Sequence, residues 1–351
     1  MSMECTTLCY LKKGDRYLML HRVSKKHDIN KDKWIGVGGH MESGESPEDC
    51  VIREVREETG ITLRSQVFRG IVTFVYRDVT EYMALFTSED FEVPDPLPPC
   101  DEGVLEWVPA EEMTKLDLWA GDFIFLKLLA DGQPFFSLKL RYDENGILRG
   151  AALDGHPMEL FDILDDEGKV TGQIQERSVV HRLGLHHRTV HLWIWRKING
   201  RTQLLLQKRS ADKDSNPGCY DISSAGHIDA GDEPLPSARR ELSEELGIQA
   251  EDNEFRFIGL CPNYSEKIFY GKPFRDNELS YVYLVDRPVR IEDLVLQESE
   301  VESVMWMDID EIIRRQADGT LKNCLHDVEL QMVRRALCDE GLVRQKKEKT
   351  Q

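Results

Sequence analysis

The sequence predicts an α/β protein built as two tandem domains, and three observations carry that expectation. A stretch beginning at Gly39 recurs at Gly226, 187 residues further on, with every internal spacing kept. The first copy centres on a capped amphipathic helix, and short apolar runs of strand type accompany both copies. At 351 residues the chain is long for one compact core and comfortable for two. An offset of this size excludes a solenoid repeat and fits domain duplication.

The elements follow in order. Residues 6–11 and 17–21 form a hairpin-like pair around Gly14-Asp15. Ser46, Pro47 and Asp49 start a helix: a side-chain cap, a proline at the first position and acid in the first turn. Gly60 stops it, because glycine accepts the left-handed turn past a helix end. Val51, Ile52 and Val55 are expected to face the core. Residues 67–76 and 82–87 read as strands, 90–99 with its four prolines as a loop, and 110–129 as a helix. Residues 135–142 and 147–151 make a closing hairpin around Asn145-Gly146. The first domain is expected over 1–152 and the second over 157–345, with the boundary in the Gly- and Ala-containing stretch between.

The second domain opens with a hairpin, 160–164 and 170–174, that has no counterpart in the first. A helix near 175–183 precedes strands at 189–195 and 203–208. Residues 310–315 and 327–338 read as closing helices, and 344–349 as a solvated, frayed basic tail.

Bulk properties narrow the function. The formal net charge is −19, and neither half carries the basic excess that sustained phosphate-backbone binding needs, which argues against nucleic acid polymers as partners. An acidic chain still binds small polyphosphates when metal ions supply positive charge. No apolar run approaches the roughly 18–20 residues that span a bilayer, and the amino terminus lacks a signal-peptide pattern. A cytoplasmic protein is the expectation, with no membrane partner and an oligomeric state that the sequence leaves open. The eight cysteines form no metal-ligand spacing and read as reduced thiols, mostly buried.

The repeated stretch carries the chemistry. The first copy reads Gly39-His40-Met41-Glu42-Ser43-Gly44-Glu45, then seven residues, then Arg53-Glu54-Val55-Arg56-Glu57-Glu58-Thr59-Gly60-Ile61. The second reads Gly226-His227-Ile228-Asp229-Ala230-Gly231-Asp232, then seven residues, then Arg240-Glu241-Leu242-Ser243-Glu244-Glu245-Leu246-Gly247-Ile248. On a helix, Glu54, Glu57 and Glu58 fall within an arc of roughly 100°. Carboxylates so crowded repel unless a cation lies between them, and a hard divalent ion, Mg²⁺ or Mn²⁺, is the usual solution. A merely solvated face has no reason to be duplicated together with its glycine loop and arginine.

These residues match the Nudix box, G-x5-E-x7-R-E-U-x-E-E-x-G-U with U aliphatic, so the chain resembles the Nudix hydrolase family in both halves. The one departure is Asp232 where the pattern has Glu, and its effect is expected to be modest. The resemblance implies two α/β/α sandwich domains that hydrolyse a phosphoanhydride bond of a nucleoside triphosphate or another nucleoside diphosphate derivative. It implies metal ligands at Glu54, Glu57 and Glu58 and at Glu241, Glu244 and Glu245, completed by the carbonyls of Gly38 and Ala225. Arg53 and Arg240 would orient the glutamates beside them. Family members also place a glutamate late in the fold; Glu102 and Glu300 occupy comparable places and would act as base or extra ligand.

Lys33-Trp34-Ile35-Gly36-Val37-Gly38-Gly39 resembles the MutT-like enzymes that remove oxidised purine nucleotides, which points to 8-oxo-dGTP for the first half. Trp34 and Trp107 are candidates for stacking on the base. Ile35 stands where animal-type members read the base with Asn, and an isoleucine packs without hydrogen bonding. The second half, through Phe161-Asp162-Ile163-Leu164, His187-Arg188-Thr189-Val190-His191 and Tyr220 to His227, resembles the isopentenyl-diphosphate-isomerase-like Nudix proteins. Isomerases carry a catalytic cysteine where this chain has Ala225, which favours hydrolysis. An isomerase-like enzyme or a non-catalytic binding module are the alternatives for that half.

Overall fold

The computed structural model describes residues 2–24, 28–213 and 215–348. Its contacts divide the chain into two compact units, one of Met1–Leu160 with Gly172–Val179, the other of Phe161–Thr171 with Val180–Gln351.

The first unit runs β1 (Ser2–Lys13), β2 (Arg16–His21), β3 (Trp34–Ile35), α1 (Pro47–Thr59), β4 (Thr62–Tyr76), β5 (Val79–Glu92), β6 (Val104–Pro109), α2 (Asp122–Ala130), β7 (Phe136–Tyr142), β8 (Leu148–Leu153) and β9 (His156–Pro157). The strands form a mixed sheet in the order β3-β2-β1-β5-β4-β7-β8-β9, with β6 on β2; β1/β5 and β4/β7 are the parallel pairs. Successive residues of a strand point to opposite faces. Cys9 and Leu11 of β1 therefore join Val51 and Val55 of α1 in one core cluster, while Tyr10 between them meets Phe125 of α2 at 5.8 Å. The sheet lies between helices, as expected of a sandwich.

Next come β10 (Leu160–Leu164), β11 (Val170–Glu176) and α3 (Arg177–Leu183), the two strands making their own small sheet. The second unit continues with β12 (His187–Ile198), β13 (Arg201–Arg209), β14 (Tyr220–Asp221), β15 (Ser224–His227), α4 (Pro234–Leu246), β16 (Phe255–Phe269), β17 (Lys272–Val285), β18 (Val301–Asp308), α5 (Ile309–Ala317) and α6 (Asp327–Glu348). Its sheet order is β14-β13-β12-β17-β16, with β15 on β12 and β18 on β13, and β12/β17 is the parallel pair. Val190, Leu192 and Ile194 of β12 pack on Ala238, Leu242 and Leu246 of α4. Trp193, on the other face, packs with Ile309 and Ile312 of α5 and Leu330 and Val333 of α6. The alternation of the first unit is reproduced.

Several expectations change. The helix expected over 110–129 is a 3-10 turn at Met113–Lys115 and then α2, which starts only at Asp122. Gly121 marks the break: a Cβ there would lie 2.3 Å from Leu140, so the chain must pass the sheet before it can coil. Ile52 is 43% exposed rather than core-facing, because it sits a full step around the helix from the Val51–Val55 line. The tail expected to fray continues the backbone of α6 to Glu348, and Lys349 lies outside the described residues. The eight cysteines are free thiols, but only four are buried, and Cys5 and Cys338 are exposed. Among the described residues no helix is long and apolar enough to cross a membrane.

Candidate active site

The box loop of the first unit is pinned by β1. Thr7 N–H donates to Gly39 O at 2.9 Å, and Cys9 and Val37 exchange backbone bonds. Helix α1 then begins with a complete capping box between Ser46 and Asp49 and ends on Gly60 at φ 69°. This geometry brings the helix carboxylates to the glycine backbone: Gly38 N–H donates to Glu58 Oε2 at 3.2 Å. Glu58 is buried, the Glu54 side chain is 15% exposed and that of Glu57 is 61% exposed, so one carboxylate opens to solvent and two line the interior.

Arg53 ties the cluster together. It donates to Glu45 from Nε and Nη2 at 2.6 and 2.9 Å, to Glu54 at 2.6 Å, to Glu57 at 3.2 Å and to the His40 carbonyl at 3.0 Å. These bonds hold the Glu45 carboxyl down at about 2 and push the Arg53 guanidinium well above its ordinary range. Glu45 therefore braces the loop from within the box.

The second box repeats the layout with different braces. Ala225 N–H donates to Glu245 Oε2 at 3.2 Å, as Gly38 does to Glu58. Arg240 pairs with Glu241 at 2.8 Å, with Glu244 at 3.5 Å and with Asp229 at 3.5 Å, and donates to the His227 carbonyl at 3.1 Å. Asp229 thus pairs with the arginine here, as Glu45 does in the first box. The loop gains a further support from β10: Asp162 accepts from Gly231 N–H at 2.9 Å and from Arg188 at 2.6 Å, and Arg188 reaches Asp232 O at 3.1 Å. Burial, helped by neighbouring carboxylates, pushes Glu241 up to about 8, and burial pushes Glu245 up to about 7.

Both clusters fit a hard divalent cation. Each has two inward carboxylates and one solvent-facing one, all oxygen donors, around a glycine with no side chain to fill the space. A Cβ at Gly39 or Gly226 would lie within 2.5 or 2.0 Å of the Glu54 or Glu241 carboxyl group.

A cavity of about 370 Å³ at the first box is lined by Gly38, Glu54, Glu58 and Glu102. Ile35, Trp119, Asn30 and Asp122 line it as well. The sequence-predicted aromatics do not line it. Trp34 lies flat on His21, with ring centroids 4.5 Å apart, and Trp107 packs on the core cluster beside Phe91. Neither tryptophan lines this cavity: along β3 it is the next residue, Ile35, that does, and along β6 Trp107 is taken up by the core. Trp119 is the cavity tryptophan, and its indole N–H donates to Asn30 Oδ1 at 2.8 Å. Asp122 is buried at the cavity wall, and burial lifts its carboxyl to about 8. Neither was legible, since both fall in the stretch read as continuous helix.

Glu102 and Glu300 sit at matching places. Glu102 pairs with Arg22 and Glu300 with Lys213.

A second cluster in the second unit was missed because four separate segments supply it. One nitrogen each of His181, His187 and His227 lie within 4.8 Å of one another, and His187 also groups with Asp276 and Glu278. His187 Nδ1 is 2.9 Å from the Leu185 carbonyl, which only accepts, so Nδ1 carries a proton. Phe161 stacks on His187 and His227. This imidazole and carboxylate set suits a transition ion rather than magnesium. His191 is engaged elsewhere, bonded to Glu329 at 2.7 Å.

Comparison with known proteins agrees with this geometry. The NUDIX domain profile matches residues 5–129 and again 185–328. The chain is 45% identical over 155 residues to Nudix hydrolase 3 of Arabidopsis thaliana, which covers 44% of this chain but 20% of that protein. It is 38% identical over 156 residues to an uncharacterised Nudix hydrolase of Clostridium acetobutylicum, covering 44% of this chain and 73% of the relative. The solved MutT protein of Bacillus halodurans is 26% identical, with a TM-score of 0.39 over 44% of this chain and 99% of that one. With the profile matching most of its length in two segments, the chain belongs to the Nudix hydrolase family, the pyrophosphohydrolases, and carries the domain twice.

Proposed function

We propose that both domains are Mg²⁺-dependent, Mn²⁺ being an alternative ion, and that each hydrolyses a phosphoanhydride bond. The observation that carries this reading is the duplicated triad, Glu54, Glu57 and Glu58 and again Glu241, Glu244 and Glu245, two carboxylates of each held by an arginine and the third by a backbone N–H. The carbonyls of Gly38 and Ala225 complete the ligand set in this reading. The bound ion supplies charge neutralisation for the phosphoryl oxygens and makes water acidic enough to lose a proton near neutral pH. Arg53 and Arg240 hold the glutamates in place, and Glu102 and Glu300 accept the proton of the attacking water. Little else is asked of the protein, because phosphoryl transfer depends mainly on positioning and charge.

The first domain takes nucleoside triphosphates, 8-oxo-dGTP among them. Ile35 and Trp119 offer apolar and aromatic surface to a base, while Asn30 and a neutral Asp122, donor and acceptor at once, face its edge. The second domain takes a different diphosphate; without a thiol at Ala225 it lacks the isomerase's proton donor.

A screen of nucleotides and other phosphorylated metabolites with Mg²⁺ tests the assignment, using the full chain and the Glu57→Gln and Glu244→Gln variants. Each substitution should abolish one activity, by at least about 10²-fold, and spare the other. A substitution that alters no turnover would make that half a binding module. Equal turnover of dGTP and its 8-oxo form would remove the finer substrate assignment.

A further inference from the structure

Each loop carboxylate is held by a cation, and the two cations come from different places in the chain. In the first domain Ser24 N–H donates to Glu102 O at 3.5 Å, and Arg22, two residues before that serine, closes on Glu102 Oε2. In the second, Ser210 N–H donates to Glu300 O at 2.9 Å, and Lys213, three residues after the serine, closes on Glu300 Oε2. Duplication of one domain explains a cation kept at one position. It does not explain two residue types reaching the loop carboxylate, one from before and one from after the serine that bonds each loop. A shared requirement does.

Neither pair is an ordinary surface bridge, which would be weak and mobile. The Arg22 side chain is 11% exposed, and its Nε donates to Asp28 Oδ2 at 2.8 Å. Asp28 is fixed in turn by Asn30 N–H at 2.9 Å. Gly103 presses the loop onto β2, since a Cβ there would lie 1.9 Å from the His21 carbonyl oxygen. Glu102, with three rotatable side-chain bonds, is thereby held in the cavity that Glu54 and Glu58 line.

We infer that Arg22 and Lys213 are positioning residues for hydrolysis, each holding its loop glutamate where the attacking water gives up its proton. The inference rests on the reading of the boxes above. In the step concerned, the water oxygen bonds to phosphorus and the anhydride P–O bond breaks. The leaving phosphate keeps the electron pair, and the proton passes to Glu102 or Glu300. A misplacement near 1 Å costs such a step about 10²-fold.

The test is a double-mutant cycle on the full chain with dGTP and Mg²⁺, in a Glu244→Gln background that silences the second domain. Arg22→Gln should lower kcat about 10- to 100-fold with KM within about twofold. Arg22→Lys should restore most of the rate. In a Glu102→Gln background, Arg22→Gln should cost nothing further. Mg²⁺ affinity by calorimetry should stay within about twofold in every Arg22 variant. A loss that persists without Glu102, that falls on KM, or that follows a tenfold fall in Mg²⁺ affinity overturns the inference while leaving the hydrolase reading intact. No dGTP turnover by the native chain overturns it together with the first-domain assignment. If Arg22→Gln does not fold, Arg22→Met with and without Glu102 decides by the same criteria.

Discussion

At Gly39 and Gly226 the side chain is absent because a glutamate occupies its space. A Cβ would meet the Glu54 carboxyl at 2.5 Å and the Glu241 carboxyl at 2.0 Å. Those atoms are the far ends of flexible side chains, so alanine would move the ligand rather than break the fold. Gly39→Ala and Gly226→Ala should each weaken Mg²⁺ binding in their own domain, about tenfold by calorimetry, with the melting temperature nearly unchanged. Unaltered affinity would show that these carboxylates do not bind the ion. Asp122 supports a different prediction. Burial lifts its carboxyl to about 8, so the folded chain keeps a proton that the unfolded chain gives up near pH 4. The associated stability is complete below about pH 4 and is lost as pH rises through 8. Scanning calorimetry between about pH 6 and 9 should show the native protein losing stability with pH more steeply than Asp122→Asn; parallel curves would contradict the assignment.

At the scale of elements, the two box helices share stops and differ in starts. Gly60 and Gly247 both end their helices in the left-handed region, but only α1 has a side-chain cap, since Glu233 gives α4 none. Ser46→Ala should cost about 1 kcal/mol by denaturant unfolding. The second loop leans instead on β10. Asp162→Ala would strip the buried Arg188 of its ion-pair partner and free Gly231 N–H, costing about 3 kcal/mol and slackening the box. An Asp162→Ala protein as stable as the native one would refute that brace. These differences explain what was readable. Helix α1 announced itself through local signals: Ser46, Pro47, Asp49 and Gly60. The start of α2 did not, because it depends on Gly121 passing Leu140, a contact between residues distant in sequence. The hairpin of β16 and β17 also went unread, its exposed Phe257, Tyr264 and Ile268 blurring the alternation that marks a half-buried strand.

For the whole molecule, the duplication was legible because a long motif with fixed spacing is hard to produce by chance, and the two sheets realise it with the same alternation about β1 and β12. What the motif could not convey was how each domain differs from the other. The Trp119 and Asp122 wall belongs to the first cavity, and the His181, His187 and His227 cluster belongs to the second unit. Those residues are assembled by tertiary structure from segments with no common spacing. Two domains with alike boxes and unlike surroundings are expected to share an ion and differ in substrate. Calorimetric titration of the full chain with Mg²⁺, in the presence of a non-hydrolysable nucleoside triphosphate analogue, tests that claim most directly. Uptake in both domains is expected, with one component removed by Glu57→Gln and the other by Glu244→Gln; absence of Mg²⁺ binding to either domain would contradict a shared ion.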